Sequence, residues 1–123
     1  MISLLDEIRS ALDELSPRVA DRVVDVETAR LFVDADADAL RRVLVALIDR
    51  AVDQYEGDLT VRVTKHRDVA RVDVSGDHRI LAKTAAHWSD AVLVDVRAIN
   101  GALEIDGPLG WMTVPLAGSN TPE

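Results

Sequence analysis

The apolar residues between positions 38 and 55 constrain this chain more than any other feature. Leu40, Val43, Leu44, Leu47, Ile48, Ala51, Val52 and Tyr55 recur at spacings of three and four, the period of one buried helix face. The opposite face carries Arg41, Arg42, Asp49, Arg50 and Asp53, so residues 38–55 predict a helix laid on a core. Two runs follow, Leu-Thr-Val-Arg-Val-Thr-Lys at 59–65 and Val-Ala-Arg-Val-Asp-Val-Ser at 69–75. Each alternates with the period of two that marks a half-buried strand, and Glu56-Gly57-Asp58 is the first break. The second run ends in Ser75-Gly76-Asp77-His78.

The flanking segments carry weaker versions of the same signals. Ile2 to Ala20 predicts an amphipathic helix with Leu5, Ile8, Leu12, Leu15 and Val19 on one stripe, ended or kinked at Pro17. Val23–Thr28 and Leu31–Val33 predict two short strands. Residues 83–99 give a divided signal. Trp88, Val92 and Ile99 fit a helix face, whereas Ala-Val-Leu-Val-Asp-Val at 91–96 suits a strand, and Asp95 falls on the apolar side of the helix. The polar stretch from Ala117 to Glu123 predicts a mobile tail. No internal repeat, linker or low-complexity segment interrupts the chain.

Composition narrows the functional classes. A chain of 123 residues is the size of one domain and buries a core without covalent staples. It contains no cysteine, which removes disulfide frameworks and thiolate zinc sites. A formal charge of -8 argues against a nucleic-acid surface, where cations must meet phosphates. No apolar run approaches the ~20 residues of a membrane span, and the first residues lack the basic-then-apolar order of a signal peptide. A cytoplasmic domain with protein partners is the expectation.

The order of helix, strand pair and following segments resembles the nucleotide-binding domain of sensor histidine kinases and their relatives in the GHKL ATPase group, over residues 2–116. Asp38-Ala-Leu-Arg-Arg-Val-Leu-Val-Ala-Leu-Ile-Asp-Arg-Ala-Val-Asp53 is similar to the long helix of that group. There the resemblance implies a magnesium-holding asparagine, but the matching residue is Arg50, and Ala46 stands at the asparagine position one turn earlier. Arginine has no acceptor oxygen for a hard cation. At the end of the second strand the group carries an Asp-x-Gly-x-Gly loop that receives adenine. Here Gly76 and Asp77 occur in the wrong order, and His78 and Arg79 occupy places that need glycine. Lys83-Thr-Ala-Ala-His-Trp-Ser-Asp-Ala-Val92 contains no glycine, so the flexible backbone that would wrap a triphosphate is missing. The match resumes at Val96–Ile105 and Gly110–Leu116.

Structural roles account for the residues that suggest other chemistries. Asp34, Asp36 and Asp38 alternate like the opening of a calcium loop, but Ala39 and Val45 replace its glycine and its final glutamate. Aspartates in that place cap a helix. His66, His78 and His87 lack the spacing of a helical metal pair, and none resembles a phosphorylation box. Ser75, Asp77 and His78 are too close in sequence to form a relay, and no nucleophile elbow surrounds Ser75.

These residues predict an α/β (α+β) two-layer sandwich, with about three helices covering one face of a mostly antiparallel mixed sheet. Residues 1–116 form the single domain and 117–123 the tail. The expected function is that of a catalytically inactive module of the histidine-kinase ATPase type, acting through protein contacts with a sensor kinase, a response regulator or a sigma-factor regulator. No cofactor, metal, nucleic acid or membrane is expected. Ala46, Asp49, Arg50, Asp53, Gly76, Asp77 and His78 mark the degenerate pocket, and Arg50 is expected to bridge to Asp77 or Asp49 in place of the ion. Leu5, Ile8, Leu12, Leu15, Val19 and Trp88 mark a partner or homodimer surface. The alternatives are a diverged anti-sigma-type serine kinase or ATPase that still binds ATP, a pocket repurposed for another small ligand, and a fragment of a longer kinase, which the Met1 start disfavours.

Overall fold

The computed structural model describes residues 2–20, 22–28, 30–79, 88–106 and 109–117. Chain order is β1 (Ile2–Ser3), α1 (Leu4–Glu14), α2 (Ser16–Val19), β2 (Val24–Thr28), β3 (Phe32–Val33), α3 (Ala37–Gln54), β4 (Tyr55–His66), β5 (Val69–Arg79), α4 (Asp90–Ala98), β6 (Ala102–Asp106) and β7 (Leu109–Pro115). Five strands form one mixed sheet in the order β2-β4-β5-β7-β6, and β1 pairs with β3 in a small antiparallel ribbon. Only β2 runs parallel to its neighbour, β4. The expected α+β layering is therefore present.

The helix read between 38 and 55 is α3. It starts where the Asp36 carboxylate accepts from the amides of Asp38 (2.9 Å) and Ala39 (3.1 Å), satisfying donors that the first turn leaves without partners. Asp36 thus has the capping role expected of the aspartate run. Leu40, Val43, Leu44, Leu47 and Ile48 are buried and face Leu59, Val61, Val72, Val74, Met112 and Val114 in one core. The alternate residues of the strands point away from the helices, so one face of the sheet is free of helix among the described residues.

Two strands are longer than their alternation indicates. Glu56-Gly57-Asp58 lies within β4, as a register shift between Glu56 and Leu59 against β5. Gly57 takes a φ of +80° there, a backbone state that an L side chain rarely enters. The bulge lets β4 leave α3 directly at Tyr55, with β5 following it to Arg79.

The stripe on α1 is not a free surface. Leu4, Ile8, Ala11 and Leu15 are buried, and α1 lies along α3. Ile8 and Leu15, expected at a partner interface, are core residues, because the same periodicity serves an intramolecular helix pair. Leu12 and Val19 are half-buried against that core, and Leu5 is half-buried beside it. Pro17 does end the first helix, which restarts as the short α2.

The divided signal at 83–99 resolves as helix over Asp90–Ala98, with the Ser89 hydroxyl accepting from Val92 N at 3.3 Å. Asp95 sits on its inner side because Arg42 of α3 meets it with two bonds of 2.9 Å. Residues 80–87, including Lys83 and His87, lie outside the described residues, as do 118–123. Ala117, placed in the tail by the sequence, is buried and donates its amide to Phe32 O at 2.9 Å.

Candidate functional site

Arg50 projects from the last third of α3 towards Trp88, ahead of α4, and Gly110 at the start of β7. Its guanidinium carbon stands 5.8 Å from the Trp88 ring centroid. Nη1 lies 3.0 Å from where a Cβ on Gly110 would be. The group is half-buried, and the loss of water lowers its pKa from the ordinary arginine value, with Tyr55 acting in the opposite direction. A cation thus occupies the space between α3, Trp88 and β7. Trp88 is half-buried and packs against the core.

The carboxylates that the sequence assigned to Arg50 are engaged elsewhere. Asp49 and Asp53 both accept from Arg18 on α2, Asp53 at 2.6 Å. The hydrogen bond to Asp53, followed by both carboxylate charges, raises the Arg18 pKa. These two aspartates clamp α2 to α3 rather than lining a pocket, and Ala46 is a half-buried position on the same helix.

Asp77 is displaced further. In β5, Val72 and Val74 are buried towards the helices, so Asp73, Ser75 and Asp77 alternate onto the helix-free face. There Asp77 Oδ2 accepts from Asp58 N at 3.2 Å and closes the β4 bulge. The expected bridge from Arg50 to Asp49 or Asp77 does not form among the described residues, because helix geometry gives Asp49 to Arg18 and strand parity takes Asp77 to the far side. His78 continues the strand opposite Glu56.

Gly76 has a packing role of its own. A Cβ there would stand 2.4 Å from Tyr55 Cβ and 2.8 Å from its Cγ, inside any allowed contact. The glycine that resembled a purine-admitting residue admits Tyr55. Of the residues expected to mark the pocket, Arg50 is the one found here, beside Trp88, which the sequence assigned to a partner surface, and Gly110. Gly110 was not singled out from the sequence, and only its cross-chain approach to Arg50 reveals it.

Among the described residues no group of three His, Cys, Asp or Glu side chains could hold a metal ion. His66 is exposed and shares a 3.0 Å hydrogen bond with Thr64 Oγ1. No described helix is long and apolar enough to cross a membrane.

No family model and no curated protein matches the sequence. Solved structures do match the fold. The mycobacterial sensor histidine kinase MprB superposes with a TM-score of 0.73 at 15% identity, over 94% of this chain and 95% of that one. The Acinetobacter baumannii histidine kinase AdeS gives 0.68 at 14% identity, covering 94% of this chain and 65% of that one. Full-length ShkA, solved in complex with AMPPNP, gives 0.64 at 18% identity, covering 94% of this chain and 30% of that one.

Proposed function

We propose that this chain, which has the histidine-kinase ATPase-like fold, is a catalytically inactive module that works by engaging a protein partner. Such a partner is a sensor kinase, a response regulator or a sigma-factor regulator, bound without phosphate transfer. The observation that carries this reading is Arg50. A half-buried guanidinium fills the space against Trp88 and Gly110, and arginine offers no oxygen to magnesium. The reading gains support from Gly76 and Asp77, whose positions are explained by Tyr55 and by the β4 bulge. The absence of glycine from residues 83–92 points the same way.

With Ile8 and Leu15 committed to the core, the large apolar residues most exposed among the described residues are Leu93 and Val94 on α4 and Val23 before β2. Leu93 and Val94 stand on the same short helix that Trp88 precedes. Their exposure supports a partner contact on α4 rather than along α1.

Isothermal titration with ATP and ADP in the presence of magnesium tests the inactive reading. The expected result is no heat of binding up to about 1 mM nucleotide, a limit of roughly −4 kcal/mol. Binding at micromolar nucleotide would overturn it and favour an ATP-using kinase, in line with the AMPPNP complex of ShkA.

A further inference from the structure

The geometry points to a binding site for a small planar carboxylate on the helix-free face of the sheet, in the fork where β5 and β7 part. This site shares Gly110 with the space around Arg50 but is lined by none of its other residues, and it does not depend on the proposed partner contact. Pairing between β5 and β7 runs from Val69–Pro115 to Asp73–Trp111 and stops there. Beyond it, β7 continues against β6 at Gly110 and Leu109, while β5 continues against β4. The divergence opens a groove of about 340 Å³ lined by Arg62, Arg71, Asp73, Val74, Ser75, Gly110 and Trp111. A volume of this size suits a single-ring ligand.

The groove is built by cross-strand register. Glu27, Arg62, Asp73, Trp111 and Glu104 form one row across all five strands. Glu27 holds Arg62 by a single bond to Nε of 2.9 Å, leaving both terminal nitrogens of the guanidinium without a partner among the described residues. Asp73 holds Arg71 through Nε and Nη2 at 3.0–3.2 Å, and Arg71 lies 4.4 Å from the Trp111 ring centroid. Both arginines are therefore held in place from one edge, with their remaining donors unspent, so binding does not have to order them.

Those donors define the ligand. Terminal guanidinium N–H groups match the two oxygens of a carboxylate in a plane, and the exposed Ser75 hydroxyl stands beside them. The indole of Trp111 supplies an apolar wall that a bare inorganic anion would not use. Arg62 is paired with Glu27 and Arg71 with Asp73, so the four side chains balance in charge and the carboxylate is recognised through the guanidinium N–H groups that these pairs leave over.

Sodium benzoate is the probe, with benzamide as its neutral counterpart and inorganic phosphate as the ion control. The readout is the indole N–H resonance of Trp111, assigned by Trp111→Phe, with the Trp88 indole as internal reference at constant ionic strength. Benzoate is expected to shift the Trp111 signal saturably within about 10 mM, leaving Trp88 in place. Arg62→Gln is expected to weaken it about tenfold through the lost charge-assisted bonds, with an unchanged thermal midpoint. No movement of Trp111, equal shifts from benzamide, or equal shifts from phosphate would each overturn the assignment. Silence towards ATP does not bear on it, so this site and the inactive-module reading fail separately.

Discussion

Gly76 and Tyr55 face one another across the start of β4 at a separation that leaves no room for a methyl group. Tyr55 is buried and leads straight out of α3, so neither its Cβ nor its backbone can retreat. Gly76→Ala is expected to cost about 2 kcal/mol or more through overpacking. Gly110→Ala is a useful contrast, because the atom its Cβ would meet is the far end of Arg50, which can swing aside. Chemical denaturation of both variants checks the order; equal losses would show that Tyr55 does not fix Gly76. The pair explains why a Ser75-Gly76-Asp77 sequence looks like a remnant of a ligand loop. Each residue has the right chemistry for one, but the contact that uses it lies on another strand, where the linear pattern carries no trace.

At the level of whole elements, most of the architecture was legible. The three/four spacing of α3 and the alternation of β4 and β5 follow from burial on one face, and both appear where they were expected. What sequence could not supply was the use of each face. The α1 stripe reads the same whether it meets α3 or another protein, and only the packing of Ile8 and Leu15 decides it. Asp95 misled in the opposite way. A carboxylate on the inner side of α4 argues against a helix in the sequence, whereas in the fold Arg42, 53 positions earlier, meets it there. This carboxylate is 15% exposed, the lowest value among the ion pairs of the described residues. The hydrogen bond from Arg42, with its charge, holds the Asp95 pKa below the usual carboxylate range. Its folded value is depressed, so the stability it contributes is present above the unfolded value of about 3.9 and disappears as pH falls through the folded value. Asp95→Asn should accordingly lower the thermal midpoint at neutral pH, with the gap from the parent protein narrowing below about pH 4. A gap that stays constant through the acid range would mean that the pairing contributes through shape alone.

Charge acts on the molecule as a whole. Asp and Glu number 22 against 14 Lys and Arg, and the resulting excess of -8 opposes compaction through self-repulsion. Several cations offset it locally: Arg18 ties α2 to α3, Arg42 ties α3 to α4, and Arg62 ties β4 to β2. These bridges are short-ranged and largely exposed, and exposed pairs contribute little each. The repulsion is summed over many separations, some of them beyond the screening length, which is about 10 Å at 0.1 M salt. Raising sodium chloride from about 20 mM to about 200 mM screens the distant repulsions more completely than the contact pairs. The net effect should be a rise of a few degrees in thermal midpoint, followed by differential scanning calorimetry at neutral pH. A falling midpoint would mean that the interhelical and interstrand bridges outweigh the excess charge. In that case Arg18→Gln and Arg42→Gln should abolish the salt dependence, which locates the balance in the two clamps on α3.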